Sequence, residues 1–416
     1  MPVRTARRAC LVAVALVASV LATPAAAAVT CTFAGTTVTI TLGDGDTATI
    51  ARSGDEITVS GMSCTPAASV NTADTIMVTG TGSSTVVIDL SAGQFIPGAT
   101  AEASGESEIE FQVDLPASGT LRVAGGSNQD RIVVGGAGIN LNAGEATADV
   151  DVSITGSPSI AVEGAEGDDV LSLAGGAVEG SAVQGVTLRG GAGDDMLRAA
   201  LGPNTFEGGD GSDTIDYSAT AQVGLVNLSG GTTLHVDGSV DTLRTIENVI
   251  GSPGDDRIVG DAADNLLSGG AGDDAIDGGA GDDDLDGDGG EDTVEFRTAQ
   301  GVEVDLAAGT ATGAGEDTLT GFENVTGSDQ ADTILGDGGP NLLRGLFGRD
   351  TVDGRGGDDV VRGGKGGDRL FGGSGDDLLQ AGHGRDQLDG GRGEDVCRGS
   401  RDPDSFVRCE NYPTRG

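Results

Sequence analysis

Apolar and polar residues alternate along residues 29–123. In Thr37-Val38-Thr39-Ile40-Thr41-Leu42 every second side chain is apolar, the period-two pattern of a strand with one buried face. Ile57-Thr58-Val59, Thr85-Val86-Val87-Ile88 and Ile109-Glu110-Phe111-Gln112-Val113 read the same way. β-Branched residues fit a pleated backbone, and Gly, Asp and Ser between the segments supply turns. This Thr/Val-rich region is predicted to be all-β, with no helix longer than a turn or two.

The rhythm changes near residue 124. Gly125-Gly126-Ser127-Asn128-Gln129-Asp130-Arg131-Ile132 and Gly164-Ala165-Glu166-Gly167-Asp168-Asp169-Val170-Leu171 are isolated copies of a motif that becomes regular later, so 124–189 is read as a degenerate repeat region. From Gly190 the step is nine residues. Units begin at Gly190, Ala199 and Gly208 (block 190–216), at Gly251 and every ninth residue to Gly287 (block 251–295), and at Gly327 and every ninth residue to Gly390 (block 327–398). The intervening stretches, 217–250 and 296–326, resemble each other. They end in Ile246-Glu247-Asn248-Val249 and Phe322-Glu323-Asn324-Val325, and they read as β-rich spacers rather than flexible linkers. Self-similarity at a fixed step is the signature of a solenoid. The fold class is therefore all-β, with solenoid blocks preceded by a Thr-rich β region and closed by a cap, 399–416.

Two columns of the 16 units carry the chemistry. Position six is Asp in 13 of them: Asp195, Asp213, Asp256, Asp274, Asp283, Asp292, Asp332, Asp350, Asp359, Asp368, Asp377, Asp386 and Asp395. In the other three it is Asn204, Asn265 and Asn341. Position eight is Leu, Ile, Val or Phe in 15 units and Cys397 in the last. Glycine at the start and at position four is expected to provide φ > 0 and close backbone approach, in turns that aim carbonyl oxygens inward. Asp at position six adds a hard anionic oxygen, and such oxygens in a flexible cage suit Ca²⁺, which takes six to eight of them. Position eight starts a short strand whose one apolar side chain points inward, so two units make one coil.

Charge points the same way. Lys and Arg number 23 against 66 Asp and Glu, a net −43. This excludes a nucleic-acid binder, whose phosphates the chain would repel. A merely solubilising or disordered acidic chain has few apolar residues, whereas here they make up 37 % and stand in register. Stacking the Asp column coil on coil would also set like charges against one another, a cost that a bound divalent cation removes.

The units resemble the hemolysin-type calcium-binding repeat, the RTX nonapeptide G-G-x-G-x-D-x-U-x. Gly269-Gly270-Ala271-Gly272-Asp273-Asp274-Ala275-Ile276-Asp277 and Gly372-Gly373-Ser374-Gly375-Asp376-Asp377-Leu378-Leu379-Gln380 match at every defined position. The resemblance implies a parallel β-roll with Ca²⁺ held between successive loops by the position-six Asp and loop carbonyls. Counting loops flanked on the same side gives about ten ions. Units with Asn204, Asn265 or Asn341, or with Arg349 or Arg385 before the Asp, are expected to bind more weakly.

Residues 1–28 read as a secretory signal peptide: Arg4, Arg7 and Arg8, an apolar run Ala9–Ala22, then Ala26-Ala27-Ala28. Sec-type export is expected, with Arg7-Arg8 leaving a twin-arginine route open. No later segment is apolar for the length of a membrane span. Cys31, Cys64, Cys397 and Cys409 remain after the leader; they allow three pairings. The near-neighbour pairing would staple each end, and a Cys397–Cys409 bridge would close the open end of the solenoid. His235, in a spacer, and His383, in a loop, read as solvated. Neither H-E-x-x-H nor G-x-S-x-G occurs, which disfavours a zinc protease and a lipase. The absence of Trp and the presence of only two Tyr argue against a sugar groove built on ring stacking. The reading is a secreted, non-enzymatic calcium-binding protein with a structural or adhesive role and a ligand on the cell envelope or surface. The alternative is a secreted hydrolase with its site in 29–189.

Overall fold

The computed structural model describes residues 29–93, 95, 109–135, 138–141, 151–173, 185–297, 300–400 and 402–410; the expected signal peptide, 1–28, lies outside them. Among the described residues there is no helix, and none is long and apolar enough to cross a membrane. Strands alternate between two sheets, and within each sheet neighbours run parallel at an offset of 18 residues. Met196–Arg198 pairs with Thr214–Asp216 in one sheet and Thr187–Ala192 with Thr205–Asp210 in the other. Two nine-residue units therefore make one coil. Position eight forms the core of each sheet: Leu343, Val361, Leu379 and Cys397 stand opposite one another in register, and all are buried.

The Thr/Val-rich region is built on the same two ladders with longer coils. Thr37–Leu42, Thr75–Gly80, Glu110–Leu115 and Val152–Gly156 follow one another in one sheet. Thr47–Ser53, Thr85–Asp89, Thr120–Ala124 and Ser159–Glu166 do so in the other, and Ser159–Glu166 pairs in parallel with the first repeat strand, Thr187–Ala192. The apolar members of the alternation, such as Val38, Ile76 and Phe111, stack between the sheets with no exposure. The first coil would present open strand edges, a template for aggregation. Thr30–Ala34 covers one edge antiparallel to Thr37–Leu42, Glu56–Val59 covers the other, and Met62–Ser69 joins them. The Cys31–Cys64 disulfide ties this cover together across 4.9 Å between Cα atoms.

The spacers do not interrupt the ladders. In 217–250 the chain runs ahead, returns and resumes. The strand order is Thr205–Asp210, Val240–Arg244, Thr232–Leu234, Leu225–Asn227 and Arg257–Val259, with the middle three antiparallel to one another. In 296–326 the same detour lies in the opposite sheet: Asp284–Asp286, Glu316–Thr320, Thr310–Thr312, Glu303–Asp305 and Thr333–Leu335. An antiparallel pair inserted this way uses its own backbone groups and leaves the next parallel rung intact. The second detour is fastened by Arg355, whose guanidinium donates to both Asp305 oxygens at 2.7 Å.

Residues 399–407 supply one more rung. Ser405–Val407 pairs in parallel with Gln387–Arg392, and Phe406 stands opposite Leu388. The expected Cys397–Cys409 disulfide closes just beyond it, with Cα atoms 5.8 Å apart. Closing so short a loop stabilises the folded end by roughly 2–3 kcal/mol. Cys409→Ala is therefore expected to speed amide exchange at Gln387–Val407 in the calcium-loaded protein and to leave Thr37–Val123 unchanged. Free thiols at Cys397 and Cys409 in the oxidised protein would refute the bridge.

Candidate metal centre

Each loop is shaped by glycine for two different reasons. In most units positions two and four take φ > 0, as at Gly191 (128°) and Gly193 (133°). Position one does not, which corrects the expectation of φ > 0 there and leaves that of close approach. There the requirement is space. A Cβ on Gly372 would lie 2.3 Å from Asp377 Oδ2 and 2.4 Å from the carbonyl oxygen of Gly390, one coil on. On Gly363 it would meet Asp368 Oδ2 at 2.5 Å and the Ala381 carbonyl at 2.7 Å. The first glycine thus leaves open a cradle walled by one carboxylate oxygen and one carbonyl from successive coils.

The two oxygens of each column Asp have different fates. Oδ1 accepts from the backbone N–H of the column residue one coil earlier. Asp332 N–H donates to Asp350 Oδ1 at 3.0 Å, Asp350 N–H to Asp368 Oδ1 at 3.0 Å, and Asp368 N–H to Asp386 Oδ1 at 2.9 Å. Oδ2 is buried and has no hydrogen-bond partner among the described residues in Asp195, Asp213, Asp274, Asp283, Asp292, Asp350, Asp359, Asp368, Asp377, Asp386 and Asp395. Asp169, in the degenerate region, joins them. A buried carboxylate oxygen without a partner is costly, and one recurring coil after coil has the form of a ligand row.

The electrostatics agree. Burial pushes the carboxyls of Asp274, Asp350 and Asp359 up to about 7, and those of Asp213, Asp292, Asp377 and Asp386 up to about 6. The backbone N–H bond to Oδ1 opposes the rise, and like charges one coil away, such as Asp332 and Asp368 beside Asp350, add to it. Among the described residues no three His, Cys, Asp or Glu side chains converge. A cation here must take most of its oxygens from the backbone, as Ca²⁺ does readily.

A family model described as the RTX calcium-binding nonapeptide repeat (4 copies) matches residues 187–219, 250–285, 259–294, 326–361 and 362–397. The chain carries RTX calcium-binding repeats. No curated protein matches it. The fold, with its parallel rungs of 18 residues, is the all-β roll that the RTX resemblance implied.

Some RTX rungs close without an orphan oxygen. Ser252 gives both its N–H (2.6 Å) and its hydroxyl (2.7 Å) to Asp256 Oδ2, and Ser328 N–H donates to Asp332 Oδ2 at 2.7 Å. Of the 13 predicted column carboxylates, these two are the ones already satisfied by protein. At two of the Asn units the amide closes the rung: Nδ2 of Asn265 donates to the Glu247 carbonyl at 2.7 Å, and that of Asn341 to the Glu323 carbonyl at 2.9 Å. Asn204 Nδ2 turns instead to the Ala200 and Gly202 carbonyls of its own loop. In the first spacer, Asp241 occupies a column place and accepts from Asn204 N–H. Its other oxygen is held by His235 Nε2 at 2.7 Å and by the Tyr217 hydroxyl at 3.2 Å. His235 is fully buried, not solvated as its sequence context implied; His383 is exposed.

Sequence reading missed several column members because they fall outside the nine-residue step. Glu247 and Glu323 accept the N–H groups of Asp213 and Asp292 at 2.9 Å, and Asp317 and Asp404 serve Asp283 and Asp386. The shared signal was present: an acidic residue followed two places later by an apolar one, as in Glu247-Asn248-Val249 and Asp404-Ser405-Phe406.

Two expectations follow. Asp359→Asn should fold and bind one ion fewer by calorimetric titration, because Asn341 shows how an amide closes a rung. Asp359→Ala should cost about 1–3 kcal/mol more, since it also strands the Asn341 N–H. The second concerns pH. A carboxyl whose folded pKa is raised stabilises the metal-free fold below its unfolded value near 3.8 and loses that contribution as pH rises through about 6–7. The metal-free roll should therefore be least stable at neutral pH. The calcium midpoint should rise as pH falls from about 7 to about 5, because protons compete for the same oxygens. A midpoint independent of pH would refute the assignment of these carboxyls as ligands.

Proposed function

We propose that this chain is exported and folds outside the cell on Ca²⁺, forming a non-catalytic scaffold with a structural or adhesive role. The row of buried, partnerless Oδ2 atoms carries the reading. Asp195, Asp213, Asp274, Asp283, Asp292, Asp350, Asp359, Asp368, Asp377, Asp386 and Asp395 would hold the ions together with loop carbonyls, and Asp256 and Asp332 would contribute less. Bound Ca²⁺ would supply positive charge between coils and accept a flexible shell of protein oxygens, for about ten ions in all. Export is supported by the Arg-led apolar segment of 1–28 and by two disulfides, which persist in oxidising compartments. A scaffold rather than a hydrolase is supported by the 29–189 region, whose described strands continue the ladders of the roll.

Folding and binding are then one event for the repeat blocks. Each unit of 327–398 buries essentially one apolar side chain, such as Val352 or Leu370, worth about 1.5–3 kcal/mol. It must order nine residues, each at a cost of about 1 kcal/mol or more. The Thr/Val region buries alternate residues along longer strands and does not carry this deficit. Amide exchange on residues 29–416 in EGTA should show the strands Thr37–Leu42, Thr75–Gly80 and Glu110–Leu115 protected and Leu342–Arg398 open; millimolar CaCl₂ should protect both. Equal protection of Leu342–Arg398 in EGTA and in calcium would refute calcium-driven folding.

A further inference from the structure

The block 327–398 differs from the other two in where its charges lie. Its strands Leu342–Gly348, Val360–Gly366 and Leu378–Gly384 stack in register, followed by Val396–Arg398. Along the edge where these strands turn out of their sheet stand Arg344, Arg349, Arg362, Lys365, Arg385 and Arg398. All but Arg344, which is half-buried, are exposed. Between Leu342 and Gly399 that edge holds no exposed carboxylate; its only acids are the buried column residues Asp350, Asp368 and Asp386. None of the six cations closes an ion pair with a described carboxylate. Several arginines elsewhere do, such as Arg189 with Glu163 and Glu207, Arg198 with Asp216, and Arg408 with Asp389, although Arg369 and Arg392 across the same block form none with described residues.

The opposite edge of the same coils is mixed: Asp358, Asp376 and Glu394 are exposed there beside Arg392, and Arg355 is tied to Asp305. The equivalent edge of the preceding block is acidic, with Asp261, Asp264 and Asp282. At position five the contrast has a structural side. Asp255 and Asp358 there accept a backbone N–H from the next coil, a bond that Arg349 and Arg385 cannot make. These arginines therefore give up a coil-to-coil contact and close no ion pair in return, although the Arg349 guanidinium attracts the buried Asp368 carboxylate.

We infer that this edge docks a linear acidic polysaccharide, a partner that rests on the adhesive reading above. Calcium in the column, held more weakly beside Arg349 and Arg385, would offset the charge of Asp350, Asp368 and Asp386, leaving the edge net cationic. The cations recur with the coil, about 4.8 Å from strand to strand, close to the length of one sugar ring in an extended polysaccharide. A narrow row along the solenoid axis fits a chain of regularly spaced anions better than a flat surface. Recognition would be ionic, so the absence of Trp and the scarcity of Tyr do not oppose it. Lys365 is held in place over the Phe347 ring at 4.3 Å, which restrains one cation before docking.

The test uses residues 29–416 in calcium on immobilised chondroitin sulfate at low salt, with circular dichroism of the same sample. Binding should be saturable, lost at high salt, and weakened at least ~10-fold in the quadruple variant Arg349→Gln, Arg362→Gln, Lys365→Gln, Arg385→Gln. Arg189→Gln, away from the edge, should bind like the parent, and both variants should show the parent's calcium-induced β signal. The inference falls if the folded protein holds chondroitin sulfate no better than neutral dextran, or if the quadruple variant binds unchanged. It falls too if vesicles of equal parts phosphatidylglycerol and phosphatidylcholine are the preferred ligand, or if sedimentation shows the edge engaging a second copy instead. A protein that gains no β signal from calcium would overturn the adhesive reading itself, a result distinct from a folded protein that does not bind.

Discussion

One hydrogen bond organises this molecule: the backbone N–H of a column residue donating to a carboxylate oxygen 18 residues later. It fixes the distance and register between coils and buries an acid at every turn. It also uses only one oxygen of each pair. The other is left inside the protein, facing a carbonyl from the next coil across a gap that only glycine keeps open, as at Gly372 beside Asp377 and Gly390. Glycine at position one, Asp at position six and the need for a cation are thus one constraint seen from three sides. Removing the charge by protonation or satisfying it with a metal are alternative answers to the same burial cost.

The rungs that answer the constraint without metal are not scattered at random. Ser252 and Ser328 open the second and third blocks, and the next unit of each block carries Asn265 or Asn341. The His235–Asp241–Tyr217 cluster closes the first spacer. Both junctions at which a detour leads into a block are therefore completed by protein groups, whereas Asp213, Asp283 and Asp292, where a block leads into a detour, keep a partnerless Oδ2. In a solenoid each repeat contacts only its neighbours, and stability is close to a sum of local terms. Metal-free rungs at the entries of the second and third blocks would give the coils that follow a preformed surface on which to stack.

Much of this was legible in the sequence because it depends on periodicity. The nine-residue step placed the apolar column, and period-two alternation placed Val38, Ile76 and Phe111 in the core of the N-terminal coils. The pairing of the four cysteines followed the near-neighbour expectation. What periodicity could not reveal was topology inside an insertion. Leu225–Asn227, Thr232–Leu234 and Val240–Arg244 look like three ordinary strands, and only their pairing shows that the chain overshoots and doubles back. The burial of His235 was hidden for the same reason, since its partner Asp241 becomes a column residue only through that detour. Glycine at position one carries both expectations, positive φ and close approach, and only the second holds, because sequence does not distinguish a missing Cβ from a positive φ.

The C-terminal end shows how the organising bond is terminated. Each column N–H needs an acceptor from the following coil, so the last coil of any such stack has unmet donors, and leaving them buried is costly. Here Asp404 serves Asp386 in one sheet. In the other sheet Asp395 N–H is met at 2.8 Å by Glu410, which no repeat step would place there. Cys409 is its neighbour, and the bridge to Cys397 holds that segment against the end of the core. Cys397 sits two residues after Asp395, in the inward column that otherwise holds Leu, Ile, Val or Phe. The disulfide thus replaces the packing of a missing coil and delivers the carboxylate that coil would have supplied. That coupling explains why a cysteine, rather than another aliphatic residue, ends the apolar column.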